Sequence, residues 1–140
     1  MAGAIFKETE LLGGIHEARR VLVVEDEPII REFVCELLAG EGYEAEACEN
    51  ADLAMASLLD HADRFNLMIT DIRMPGSIDG AELTNRVLSQ WPNIPVIVMS
   101  GHETPETAGI ANQVAFLPKP WSIGQLIDSV NKVTCEPARH

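Results

Sequence analysis

Five residues of this 140-residue chain have the types and setting to do chemistry together: Glu25, Asp26, Asp71, Ser100 and Lys119. Each follows a short apolar run: "VLVV" before Glu25 and Asp26, "LMIT" before Asp71, "VIVM" before Ser100, and "VAFLP" before Lys119. Taken singly they are ordinary. An acidic pair at a strand end is usually solvated, Asp71 ahead of Pro75-Gly76 reads as a turn residue, and Lys119 between two prolines reads as a surface lysine. Taken together they make a site. Like charges side by side raise each other's pKa unless a cation sits among them. Three converging carboxylates would hold a hard divalent cation, and Mg²⁺ accepts such an oxygen shell while keeping several waters. The ion would keep all three acids ionised at neutral pH. Lys119 adds positive charge from the other side, and Ser100 adds a hydrogen-bond donor. This set suits phosphoryl transfer, which needs positioning and charge neutralisation more than covalent chemistry. One carboxylate would be the nucleophile, forming an acyl phosphate. Asp71 is the best placed, between the acidic pair and the lysine.

These residues meet only if the elements before them share one edge. Val21–Val24 is a continuous apolar run, as expected of a strand buried on both faces. Pro28 opens a helix whose apolar stripe is Ile29, Ile30, Phe33, Val34, Leu37 and Leu38, stopped by Gly40 and Gly42. Tyr43 to Ala47 is a more polar strand, hence nearer an edge. Asn50 caps a second helix carrying Ala54, Met55, Leu58 and Leu59. Leu67 to Thr70 is a third strand, the stretch from Ala81 to Gln90 a third helix, and "IPVIVMS" a fourth strand. "HETPETAGIAN" is a weak helix, loosened by Gly109. Val114 to Leu117 is the fifth strand. The last helix starts at Ser122, which forms a capping box with Gln125 and carries Ile123, Leu126, Ile127, Val130 and Val133. Five strand–helix alternations imply an α/β protein with a doubly wound parallel sheet, and sites in such sheets lie beyond the carboxyl ends of the strands. The expected organisation is an N-terminal extension over 1–19, one domain over 20–134, and a tail over 135–140.

Composition narrows the partners. The net charge of −12 argues against non-specific binding to nucleic acid or to anionic membrane, both of which need basic patches. The cysteines, Cys35, Cys48 and Cys135, are odd in number and match no zinc spacing, so reduced thiols are expected. No apolar run reaches membrane-spanning length, and "MAGAIFKETELLGG" lacks the regions of a signal peptide, so a cytoplasmic location is expected.

The motifs "VLVVEDEP", "LMITDIRMPGSIDG", "VIVMSG" and "FLPKPW", in that order, resemble the response-regulator receiver domains of two-component signalling, over about residues 20–134. The chain is similar to the single-domain chemotaxis type. The resemblance implies a flavodoxin-like sheet of order 2-1-3-4-5 with five helices. It implies Asp71 as phosphoacceptor and Mg²⁺ held by Glu25, Asp26, Asp71 and the backbone carbonyl of Arg73. Ser100 would bind the phosphoryl group, and Lys119 matches the family's lysine, with a cis bond to Pro120. Phe116 holds the aromatic switch position and would turn inward as Ser100 moves. Arg73 and His102 occupy flanking positions that tune the lifetime of the phosphate.

The implied partner upstream is a sensor histidine kinase or a histidine phosphotransfer protein. Downstream, a target protein would bind the face of helix four, strand five and helix five, which could also support a homodimer. No further domain is read after the last helix, so a single-domain regulator acting by protein contact is expected. The alternatives are a receiver excised from a larger regulator or hybrid kinase, and a binding module independent of phosphorylation. Two departures stand out: "MPGSIDG" is one residue longer than the common loop, and the segment from Ser100 to Lys119 is short. An aspartate-nucleophile hydrolase of the haloacid dehalogenase type would need an aspartate where Arg73 stands. A flavin-binding flavodoxin would need a glycine- and hydroxyl-rich phosphate loop where three acids stand.

Overall fold

Val21 to Val24 are all fully buried, and they form an interior strand of the sheet. The computed structural model describes residues 19–101, 104–110 and 114–135. The strands are β1 (Arg19–Val24), β2 (Tyr43–Cys48), β3 (Leu67–Asp71), β4 (Val96–Ser100) and β5 (Ala115–Pro118). They pair in parallel in the order β2-β1-β3-β4-β5, with Val24 opposite Thr70, Thr70 opposite Val98, and Ser100 opposite Pro118. Strand ends carrying the candidate residues are therefore neighbours at one edge. The helices are α1 (Pro28–Gly40), α2 (Ala51–His61, continued by a 3-10 turn at Ala62–Arg64), α3 (Gly80–Gln90), α4 (Pro105–Ala108) and α5 (Ile123–Cys135). Four of these are full helices. The segment that read as weak helix in the sequence gives α4, a single turn of four residues before Gly109 at φ +74°.

Alternate residues along each strand point to opposite faces, so a two-sided sheet needs two cores. On one face Leu22, Val24, Met68, Val96 and Val98 pack with Ala54, Met55 and Leu58 of α2 and Leu83 and Val87 of α3. On the other, Val21, Val23, Leu67, Ile69, Ile97 and Met99 pack with Val34 and Leu38 of α1 and Leu126 and Val130 of α5. The helix ends follow their local chemistry. Asn50 accepts a hydrogen bond from the Leu53 N–H (2.8 Å), and Pro28 occupies the first turn of α1. Ser122 and Gln125 close a reciprocal box, with Ser122 N–H donating to Gln125 Oε1 (2.8 Å) and Gln125 N–H to Ser122 Oγ (3.1 Å).

The apolar stripes are narrower than their sequence suggests. Ile29 is 81% exposed, Leu59 68%, Ile123 52% and Phe33 42%. A helix lying on a flat sheet buries an i, i+4 ridge such as Val34 and Leu38, while residues on its flank stay in water. Phe33 and Trp121 meet across α1 and the start of α5 as stacked rings, 6.3 Å between centroids. The expected extension and tail lie outside the described residues, except Arg19, which already belongs to β1, and Cys135, which ends α5. Ile69 is fully buried, so Ile69→Ala should cost about 2–5 kcal/mol by cavity formation. Ile29→Ser should stay within about 0.5 kcal/mol. Urea unfolding of the two variants checks the contrast.

Candidate functional site

Glu25 is the first residue past β1 and is completely buried. Its N–H donates to the Cys48 carbonyl (3.0 Å), and its carbonyl accepts from Arg31 Nη1 (2.8 Å), which fixes the backbone where the strand ends. Its Oε2 accepts the N–H of Glu27 (3.1 Å). Its Oε1 is buried with no hydrogen-bond partner, and the Lys119 ammonium stands 3.7 Å away. A buried, unpaired carboxylate oxygen is costly. Burial pushes the Glu25 carboxyl up to about 7, and the charge of Asp71 pushes the same way, against the Glu27 N–H and Lys119. Glu27 itself, the third acid of the run, is the N-cap of α1 and faces water.

Asp71 ends β3 on the neighbouring strand. Its Oδ1 accepts the Ile72 N–H (2.8 Å), and its Oδ2 accepts from Lys119 Nζ (2.9 Å). Burial alone would lower the pKa of Lys119. The hydrogen bond and charge of Asp71, with the charge of Glu25, outweigh it and raise the ammonium above its ordinary value. The Lys119–Pro120 peptide is cis. One carboxylate oxygen from each of Glu25, Asp26 and Asp71 can be chosen so that all lie within 4.8 Å of one another. Three hard oxygen donors, one from each acid, with Glu25 Oε1 left without a hydrogen bond, suit a small divalent cation, and these residues fit Mg²⁺ as its protein ligands.

Ser100 ends β4 and is buried, and its carbonyl accepts the Lys119 N–H (2.6 Å), which ties the fourth strand end to the fifth. Arg73 is exposed, two residues after Asp71. Phe116 lies opposite Val98 in β5 and is half-buried against the core that contains Ala108 and Val114 at its margin. His102 lies outside the described residues. The structure thus gathers carboxylate oxygens of Glu25, Asp26 and Asp71 within 4.8 Å of one another, with Lys119 paired to Asp71 and Glu25. Ser100 closes the same edge, and Phe116 lies two residues back from it on β5.

Gly80 was missed by sequence reasoning. It opens α3, and its N–H donates to the Ile72 carbonyl (2.8 Å). A β-carbon there would overlap the carbonyl oxygen of Asp71, so only glycine lets α3 press against the strand end that carries the acid. Thr70 and Thr84 support the same contact, donating to the Asp71 carbonyl (2.9 Å) and the Gly80 carbonyl (2.7 Å). The available signal was a glycine directly after the helix cap Asp79, where a helix gains nothing from it.

A twisted parallel sheet of order 2-1-3-4-5 with acids and a lysine at its carboxyl edge defines a class, and the sequence places the chain within it. Residues 21–131 match the response regulator receiver domain, and the chain belongs to that family. It is similar to the nitrogen assimilation regulatory protein NtrX of Azorhizobium caulinodans, 38% identical over 79% of this chain and 25% of that protein. It is 35% identical to the transcriptional regulatory protein PdtaR of Mycobacterium tuberculosis, over 80% of this chain and 55% of the relative. Among solved structures, the response regulator receiver protein of Sinorhizobium medicae superposes with a TM-score of 0.79 at 27% identity, covering 86% of this chain and 97% of that one. The chain spans about a quarter of the length of NtrX and about half that of PdtaR.

The elevated Glu25 carboxyl has a measurable consequence. Its ordinary value is 4.5 and its folded value about 7, so the folded protein holds this proton more tightly than the unfolded chain. Its contribution to stability is fully present below pH 4.5 and is lost as pH rises through about 7. The interval corresponds to at most about 3 kcal/mol. In metal-free urea unfolding, Glu25→Gln should gain on the wild type between pH 5 and pH 8 by up to that amount. An equal difference at both pH values would count against the assignment.

Proposed function

We propose that this receiver accepts a phosphoryl group from a phosphohistidine onto Asp71, in a Mg²⁺-dependent reaction, and that phosphorylation switches the proteins it binds. The observation that carries this reading is the Asp71 carboxylate held 2.9 Å from the Lys119 ammonium, beside the acidic pair. A carboxylate oxygen of Asp71 attacks phosphorus, a P–O bond forms, and the P–N bond to the donor imidazole breaks. The released imidazole regains a proton from solvent. Held by Glu25, Asp26, Asp71 and the backbone carbonyl of Arg73, Mg²⁺ would offset charge on the phosphoryl oxygens. Lys119 turns from the free carboxylate to a phosphoryl oxygen, and the Ser100 hydroxyl donates to another. Movement of Ser100 leaves room behind it for Phe116 to turn inward, which biases an existing two-state equilibrium.

The partner bringing the phosphohistidine is a histidine kinase or a histidine phosphotransfer protein. An open cleft of about 520 Å³ beside Lys119, walled by Ile30, Phe33, Pro120 and Trp121, supports this. A donor protein reaching Asp71 would cover that apolar wall and exclude water from the transfer. The output face is the α4–β5–α5 side, where Phe116 lies, and the same face would serve a homodimer. Cys35 and Cys48 are free thiols, which fits the reducing cytoplasm where such kinases deliver phosphate.

Incubation with Mg²⁺ and acetyl phosphate, followed by intact mass, tests the reading. The wild type should gain one phosphoryl group, while Asp71→Asn and the EDTA-treated wild type should gain none. Lys119→Ala should slow labelling by roughly 100-fold. No labelling of the wild type at any Mg²⁺ concentration would overturn the assignment. Arg73, exposed beside the acceptor, partly shields the acyl phosphate from water; Arg73→Ala should speed dephosphorylation, and an unchanged rate removes that role.

A further inference from the structure

The loop from Ile72 to Asp79 leads from the acceptor strand into α3, and its outer part is fastened by a residue of another helix. Ser77 donates twice to Asp52: its N–H to Oδ2 (2.9 Å) and its Oγ to Oδ1 (2.5 Å). Both oxygens of one carboxylate are thus taken by one residue, 25 positions away. Asp52 sits in the first turn of α2, yet that helix is already capped by Asn50 on the Leu53 N–H. Its carboxylate is not needed by its own helix end and is turned to the loop instead. Gly76, at φ +131°, makes the approach available: a β-carbon there would stand 2.6 Å from Asp52 Oδ2. The backbone conformation and the close contact both call for glycine at this position.

The rest of the loop has two other anchors. Near Asp71, Ile72 and Met74 are buried in the core. At the far end, Asp79 caps α3 by accepting the Glu82 N–H (3.0 Å), and Gly80 abuts the Asp71 carbonyl. Between them Pro75, Gly76 and Ser77 are exposed, and the Asp52 contact ties this stretch to the body of the domain. Arg73 lies within the loop so fastened.

We propose that Asp52 is a positioning residue for the phosphoryl-transfer site: through Ser77 and Gly76 it holds the loop so that the Arg73 backbone is presented to the Glu25–Asp26–Asp71 cluster. It touches no reacting atom, and it acts as a partner behind the ligand set, a place where substitution typically weakens metal binding by 10- to 100-fold. The inference rests on the Mg²⁺-dependent reading given above.

The test measures Mg²⁺ affinity by calorimetry without phosphodonor, then the rate of labelling by acetyl phosphate, for wild type, Asp52→Ala, Asp52→Asn and Ser77→Ala. Asp52→Ala should bind Mg²⁺ roughly 10-fold more weakly and label correspondingly slowly, at an unfolding midpoint close to wild type. Asp52→Asn keeps an acceptor for the Ser77 N–H and should recover most of the affinity. Ser77→Ala keeps the backbone bond and should fall between. Wild-type affinity in Asp52→Ala overturns the proposal. So does a loss shared equally by Asp52→Ala and Asp52→Asn in step with lowered stability, since that is a merely structural role. A wild type that neither binds Mg²⁺ nor becomes labelled removes the underlying reading instead, so the two failures are distinguishable.

Discussion

Holding three carboxylates together at the end of a buried sheet is the constraint on which the rest of this molecule turns. Removing a carboxylate from water costs several kcal/mol, and placing two more beside it adds repulsion. The chain meets this with one ammonium, Lys119, hydrogen-bonded to Asp71 and 3.7 Å from Glu25. One ammonium does not balance three acids. Burial first, and the charge of Asp71 after it, raise the Glu25 carboxyl to about 7, and its Oε1 is left without a hydrogen-bond donor. The site is therefore built under electrostatic tension that a divalent cation would relieve.

Such a site needs a rigid base. Its residues come from separate strand ends: backbone bonds past the strands tie Glu25 to Cys48, Ile72 to Met99 and Lys119 to Ser100, and the ladder pairs Val24 with Thr70. The two apolar layers lock the sheet from both sides, so the relative positions of the acids and the lysine are set by the ladder more than by their own side chains. What varies beyond this edge is loop. The β3–α3 connection is pinned at its root by Met74 and Gly80 and farther out by Asp52, so its freedom is concentrated over a few exposed residues.

Around this edge the surface divides by chemistry. Ile30, Phe33, Pro120 and Trp121 put apolar surface beside Lys119 on the α1–α5 side, on a protein whose net charge is −12. Apolar side chains gathered at one place contrast with the charged surface around them. The α4–β5 side carries Phe116 and the one-turn α4. The two flanks of the site therefore differ in chemistry.

The sequence by itself determined the alternation of strands and helices, because a continuous apolar run such as Val21–Val24 has no stable home except a strand covered on both faces. It also determined the candidate residues, since acids, a hydroxyl and a lysine directly after such runs must lie at the edge where parallel strands all end. Caps at Asn50 and Ser122 were legible for the same local reason, their partners being three residues away, and Pro28 marked the first turn of α1 by its own ring. The tertiary structure decided what depends on distant neighbours. Ile29, Leu59 and Ile123 fit a helical stripe, but only the flat face of the sheet fixes how wide a stripe is covered, and it leaves them in water. Gly80 looks like a poor helix former until α3 is seen against the Asp71 carbonyl, and Asp52 looks like a first-turn acid until Ser77 is seen beside it. Periodicity and capping are written over a few residues of chain. Contacts that cross 25 or 48 residues, such as Asp52–Ser77 and Asp71–Lys119, exist only once the sheet has brought its strand ends together.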